Sequence, residues 1–247
     1  LVQMDILQRY RKSVLGLGWS LLNPLAMTAV FCLVFSSLMK PAGKTWQEYA
    51  CYLISGITVW NFLVSSLGQG CTSFIRNELY IRQCPLPCSI YPMRTVLSLA
   101  FHLMIGLVLV MAMVVVLMGS MAPFKALWAV LPVVVLMILF AWAIATLASF
   151  ATIYFHDTQH LVEVGAQLMF FLTPIMYERT LLDANNIGFL ADLNPAFIFM
   201  QLIRGPFLSG VPADAFLYFQ AVALTTVTVG LAIGAIAWLE KKMIFQL

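Results

Sequence analysis

"RYRKSVLGLGWSLLNPLAMTAVFCLVFSSLMK", Arg9 to Lys40, sets Arg9, Arg11 and Lys12 ahead of an uninterrupted uncharged run from Ser13 to Met39. A helix crosses a bilayer with roughly 20 apolar residues, so this run is long enough to span. The composition says the same of the whole chain. Of 247 residues, 62% are hydrophobic and 9% charged, and the mean hydropathy is +0.96. A soluble domain carries roughly 25% charged residues, and so few charges cannot cover the surface of a globule this size. The net charge of +3 is too small, and too concentrated in loops, to suggest nucleic acid. The chain opens at Leu1, so further N-terminal sequence is expected before it. A cleavable signal peptide is not expected, because the first apolar run is too long and no small-residue cleavage site follows it.

Uncharged stretches delimit six expected spans, at residues 20–39, 50–70, 95–118, 126–153, 161–177 and 215–239, in one all-α polytopic transmembrane domain covering 1–247. Six spans put both termini on one side. That side then holds eight cations, Arg9, Arg11, Lys12, Arg76, Arg82, Arg94, Lys241 and Lys242, against five on the other. The positive-inside rule places the first set, and both termini, in the cytoplasm.

The connecting segments carry more information than the spans. Before span one, apolar Met4, Leu7, Val14 and Leu17 interleave with the cations, the pattern of a helix lying in the interface over residues 1–19. Ser73 to Pro87 has apolar Phe74, Ile75, Leu79 and Ile81 among Arg76, Glu78 and Arg82, and ends at Pro85 and Pro87. It predicts a short helix across the cytoplasmic mouth, within reach of a soluble partner. "LNPAFIFMQLIRGPFL", Leu193 to Leu208, offers an Asn-Pro helix start and an Arg204-Gly205-Pro206 stop around a run too short to span. It predicts re-entrant backbone over 180–209, which must be buried in protein or line a wet pathway.

Several motifs look like known chemistry but have plainer readings. "AGKT", Ala42 to Thr45, has the tail of a phosphate-binding loop, but Leu38 stands where the motif needs its first glycine. "HDTQH", His156 to His160, puts two histidines on one helical face as zinc proteases do, with Glu163 the nearest third ligand. A polar interfacial turn explains those residues without a metal, so neither a metal nor a catalytic residue is expected. Cys84 and Cys88 form a lone C-x-x-x-C, a weak zinc signal, and Cys32 reads as a packing residue. Trp46, Tyr49, Tyr52, Trp60, Tyr177, Phe197 and Phe199 read as interfacial anchors, with a sliding surface for sugars as the functional alternative. Gly230 and Gly234 make a G-x-x-x-G that allows close helix packing.

Three stretches, "RYRKSVLGLGWSLLNPL" (Arg9 to Leu25), "YFHDTQHLVEVGAQLMFFLTPIMY" (Tyr154 to Tyr177) and "LNPAFIFMQLIR" (Leu193 to Arg204), occur in this order along the chain. Together they resemble the membrane subunit of ABC exporters that move lipid-linked polysaccharide such as O-antigen, capsule or teichoic acid. His156 stands where the family usually has arginine, and "CPLPCSIYPMR" is richer in cysteine and proline than the family pattern. The resemblance implies a homodimer of six-span subunits in the bacterial cytoplasmic membrane. Each subunit would engage a cytoplasmic ATP-binding subunit that holds ATP and magnesium, with no cofactor in this chain. It implies an interface helix containing Arg9, Tyr10, Arg11, Lys12 and Trp19, and a coupling helix containing Arg76, Asn77, Glu78, Leu79 and Arg82. A cytoplasmic loop would contain His156 and Asp157. A channel or re-entrant region would be built from Trp60, Phe170, Phe171, Pro174, Tyr177, Asn194, Pro195 and Arg204. Two rivals remain at this point: a permease of the same class for a drug or small lipid, and an intramembrane zinc enzyme on His156, His160 and Glu163.

Overall fold

A computed structural model describes residues 18–35, 45–83, 86–185, 188–192 and 194–243. The expected interface helix, with Arg9, Tyr10, Arg11 and Lys12, lies outside them except for its last residues, as does Cys84. The regular structure of the described residues is entirely helical. In chain order the helices are α1 (Gly18–Phe35), α2 (Trp46–Cys71), α3 (Ser73–Arg76), α4 (Glu78–Gln83), α5 (Ile90–Met118) and α6 (Ala122–Tyr154). They continue with α7 (Thr158–Leu172), α8 (Arg179–Ala184), α9 (Phe189–Asp192), α10 (Pro195–Ser209) and α11 (Ala215–Met243).

Among the described residues, α2, α5, α6 and α11 are long and apolar enough to cross a membrane, and α1 carries a shorter apolar stretch, Leu21–Val34. The expected fifth span is broken. Residues 161–177 are not one helix: α7 has 15 residues and stops at Leu172. Thr173 is extended (φ −84°, ψ 132°) because the residue before a proline is pushed out of the helical region, and Pro174 follows. Fifteen helical residues rise about 22 Å, short of a hydrocarbon core of about 30 Å.

α2 is the hub. It packs on α1, α5, α6, α7 and α10, and α6 closes the bundle against α5, α10 and α11. Thr45 starts α2 through a capping box: its hydroxyl accepts from the Glu48 N–H at 3.3 Å, and the Glu48 carboxylate accepts from the Thr45 N–H at 2.8 Å. The threonine of "AGKT" is therefore a helix cap. Further along, α2 and α6 nearly touch backbone to backbone. A methyl on Gly70 would lie 2.6 Å from the Ala145 Cα, and Ser149 Oγ donates to the Gly70 carbonyl at 2.7 Å. Gly70→Val is expected to force the two helices apart at a cost of about 3 kcal/mol. Thermal melting of the detergent-solubilised chain checks this, and an unchanged midpoint would contradict the crossing.

Two connecting segments differ from expectation. Residues 73–87, expected as one helix, break at Asn77 (φ −111°, ψ 15°) into α3 and α4, and α4 ends at Gln83. The Asn77 carboxamide donates back to the Ser73 carbonyl at 2.7 Å, which fixes the step between them. In 180–209, α8 has six residues and α9 four, and α10 with 15 is the substantial helix. α10 starts as expected, with the Asn194 side chain capping the Ala196 N–H at 3.0 Å and Pro195 at the first helical position. The Arg204-Gly205-Pro206 stop is wrong. The helix runs through it to Ser209 and ends at Gly210 (φ +75°), because Pro206 and Phe207 are buried in the core and that packing outweighs the hydrogen bond lost at proline.

Candidate functional site

The expected site residues that the structure brings together lie at the two ends of α2. At its N-terminal end the chain after α7 is unwound over "TPIMY", Thr173 to Tyr177, and Thr173 to Met176 are buried. Non-helical backbone at this depth has to find its hydrogen bonds within the protein. Arg204 of α10 supplies two, donating from Nη1 to the Pro174 carbonyl at 3.1 Å and from Nη2 to the Ile175 carbonyl at 3.3 Å. The Tyr49 hydroxyl donates to Met176 at 2.9 Å and the Tyr52 hydroxyl to Tyr177 at 2.8 Å. Asn194 donates to the Thr173 hydroxyl, so the α10 cap also reaches the start of the unwound stretch.

The Arg204 guanidinium stacks on the Tyr52 ring, 3.6 Å from its centroid, and its Nε faces Ser55 Oγ at 3.4 Å. A charge this deeply buried is costly unless its donors are matched, and the planar fork and the π face do the matching here. Gly56 makes the room, since a methyl there would collide with the guanidinium. Arg204, Pro174, Tyr177 and Asn194 are thus brought together as a clamp on the unwound segment. Of the aromatics expected as interfacial anchors, Tyr49, Tyr52, Trp60, Phe197 and Phe199 are buried in the protein and only Trp46 is strongly exposed. Their role is corrected accordingly: the two tyrosines hold backbone. Tyr49, Tyr52, Ser55 and Gly56 were missed as a group. Their spacing of three and four puts them on one helical face, a polar and small stripe within an apolar run, and that stripe was a visible signal.

Beside the clamp, α2, α6, α7 and the start of α10 enclose an open apolar groove of about 590 Å³, lined among others by Trp60, Phe140, Met169, Asn194 and Pro195. Phe170 stands between α1 and α2, its ring centroid 6.1 Å from Phe31 and 5.7 Å from Trp60, while Phe171 points outward. α7 has no buried residue.

At the other end, α3 and α4 form a step fastened to the bundle. Phe74 is fully buried, edge-on to Phe150 with centroids 5.0 Å apart. Ser73 Oγ lies 2.8 Å from Ser149 Oγ, the group that also holds Gly70. The Cys88 N–H donates to Glu240 of α11 at 2.8 Å, and burial together with Glu240 pushes the Cys88 thiol up to about 12. α4 itself buries nothing: Leu79 and Tyr80 are exposed, Leu79 by 72%, beside exposed Ile75 and Arg76 of α3 and the Arg82–Glu78 pair at 2.9 Å. His156 and Asp157 are exposed in the turn from α6 to α7. Glu163 accepts from Gln159 at 2.9 Å and lies 3.9 Å from His160. Gly230 and Gly234 have nothing within 4 Å of an added methyl, so the G-x-x-x-G face of α11 packs on nothing among the described residues.

One end of α2 thus holds a deeply buried break in the backbone, and the other carries an exposed amphipathic step. Residues 1–208 match the family model described as ABC-2 type transporter. The chain is 28% identical over 232 residues to an O-antigen export system permease protein, RfbA, of Klebsiella pneumoniae, covering 93% of this chain and 87% of that one. A protein of the same name from Myxococcus xanthus is 27% identical over 246 residues, 98% of this chain and 90% of that one. The chain therefore belongs to the ABC-2 type transporter family as a multi-pass membrane permease subunit, of a kind that carries no ATPase domain of its own.

Proposed function

We propose that this chain is the permease of an exporter that moves a lipid-linked polysaccharide across the bacterial cytoplasmic membrane, driven by ATP hydrolysis in a separate subunit. The observation that carries the proposal is the likeness, over nine-tenths of the chain or more, to permeases named for O-antigen export. In the working assembly two copies pair and each engages one ATP-binding subunit. α1 serves as span one, and α7 with the unwound stretch to Tyr177 as span five, so that six spans put both termini in the cytoplasm. The exposed face of α3 and α4 receives the ATPase stroke. α1 and α7, the least buried elements on α2, border the pathway.

The test is reconstitution with and without the ATP-binding subunit. The chain alone is expected to hydrolyse no ATP, and the pair to move a lipid-linked glycan into the lumen of sealed vesicles. Movement of an apolar drug but no glycan would instead assign a drug permease. Charge reversal at Arg76 or Arg82 is expected to lower export about tenfold while leaving the melting point within a degree or two. Arg82→Glu also sets a like charge against Glu78 where a 2.9 Å ion pair now stands. Undiminished export by both variants would remove α3 and α4 from the coupling path.

A further inference from the structure

α11 is the least buried of the four long apolar helices. Up to Leu239 it buries Ala221, Thr225 and Ala232, and its packing partners are α6 and α10. Its last turns are held differently. Met243 is fully buried in a second apolar cluster, separate from the main core, with Phe74 of α3, Tyr91 of α5, and Phe150 and Ile153 of α6. Ile81 of α4 and Ile236 and Leu239 of α11 pack against the same cluster. The α3–α4 step and the end of α11 therefore share one small core.

Glu240 adds a polar tie to it. Its carboxylate accepts from the Cys88 N–H at 2.8 Å and faces the Cys88 thiol. Cys88 lies in the turn that carries the chain from the step into α5. The Trp142 indole of α6 donates to the next carbonyl in that turn, Ser89, at 3.2 Å. The turn is thus bonded to α6 through a neutral pair and to α11 through an ionised acceptor, the stronger kind of bond. Apolar contacts resist separation but have no direction, so a cluster of side chains alone lets helix ends slide. A hydrogen bond to one N–H fixes the register.

The other end of α11 lies beside the clamp. Leu217 lines a hollow of about 430 Å³ together with Arg204, Gly205 and Leu208 of α10. Ala221 is fully buried in the main core, as are Ile203 and Phe207 of α10. The clamp has two halves, Tyr49 and Tyr52 on α2, and Arg204 with Asn194 at α10. α2 runs from the step directly to the first half. α11, whose 29 residues rise about 43 Å, runs from the step to the flank of the second.

We infer that Glu240 is a positioning residue of the transport stroke. It fixes α11 to the α3–α4 step, so that movement of the step reaches the Arg204 half of the clamp together with the tyrosine half. The inference rests on the export proposal for the stroke itself.

The test is amide hydrogen exchange on the full chain with its ATP-binding subunit in nanodiscs, with and without the non-hydrolysable nucleotide AMP-PNP. In the unsubstituted complex the nucleotide is expected to change exchange at 73–83, 195–209 and 235–243. In Glu240→Ala the change at 195–209 and 235–243 is expected to fall about tenfold while that at 73–83 stays. One bond to an ionised acceptor holds the linked state by roughly that factor. Glu240→Gln keeps an oxygen that accepts from the Cys88 N–H, and is expected to restore the response to within about twofold. Glu240→Asp, which keeps the charge one methylene too short, reads the same loss should Glu240→Ala not fold. A purely stabilising contact would lower the melting point and leave the pattern of response in the folded complex unchanged. An undiminished response in Glu240→Ala or Glu240→Asp, or Glu240→Gln as damaging as Glu240→Ala, would overturn the inference. Glycan delivery in the reconstitution above with no response at 235–243 would remove this role of Glu240 and leave the export proposal standing. A Glu240-dependent response without delivery would do the reverse.

Discussion

Arg204→Leu is expected to destabilise the chain by about 3 kcal/mol, as the carbonyls of Pro174 and Ile175 lose their donors in a buried setting. Arg204→Lys should recover only part of that loss. A single ammonium cannot reach two successive carbonyls and stack on Tyr52 at the same time. Tyr52→Phe keeps the π face and removes one hydroxyl donor, so about 1 kcal/mol is expected. Gly56→Ala should resemble Arg204→Leu although it changes no polar group, because the new methyl occupies the space of the guanidinium. Thermal melting ranks the four variants, and amide hydrogen exchange at 173–177 localises the damage. If Tyr52→Phe proved as harmful as Arg204→Leu, or Gly56→Ala harmless, the clamp as described would be wrong.

The sequence showed that residues 161–177 and 193–208 were unusual but not how they meet. The long spans were legible because an uncharged run more than twenty residues long has one sensible solution in a bilayer, and α2, α5, α6 and α11 start and stop close to where those runs do. Caps were legible too: the Asn194-Pro195 start stands, and the Thr45-to-Glu48 spacing was a capping box in plain sight. Hydropathy failed at "TPIMY", since it scores Pro174 to Tyr177 as span and carries no information on whether the backbone stays wound. It failed at Gly205-Pro206 for the opposite reason. Local breakers there are overridden by the burial of Phe207 and Ile203, which only the tertiary arrangement supplies. Arg204 needed the carbonyls of a segment some thirty residues earlier, a partnership no local pattern encodes.

The clamp and the step are joined by a single helix. α2 carries Tyr49 and Tyr52 at one end and Gly70 at the other, with Ser73 and Phe74 immediately beyond its last residue. Its 26 residues rise about 39 Å. In the proposed mechanism a push on α3 and α4 would reach the unwound segment through this element. Phe74 locks the step onto α6, and the Gly70–Ala145 contact keeps α2 from sliding along α6.

That arrangement separates stability from transmission. Phe74→Ala removes a fully buried ring and is expected to cost about 3–5 kcal/mol, lowering export only because the folded population falls. Leu79→Asp alters a side chain that is 72% exposed and should leave the melting point within a degree or two. It places a charge in the apolar centre of the face proposed to meet the ATP-binding subunit, so a loss of at least tenfold in ATP-driven export is expected, with weakened co-purification of that subunit. Tyr80→Asp, also on an exposed residue, should behave likewise. Measured side by side, Phe74→Ala should shift the melting curve and leave export per folded molecule near normal, while Leu79→Asp does the opposite. If Leu79→Asp exported normally, the partner would have to grip the chain elsewhere, and the exposed loop at His156 and Asp157 would be the next surface to substitute.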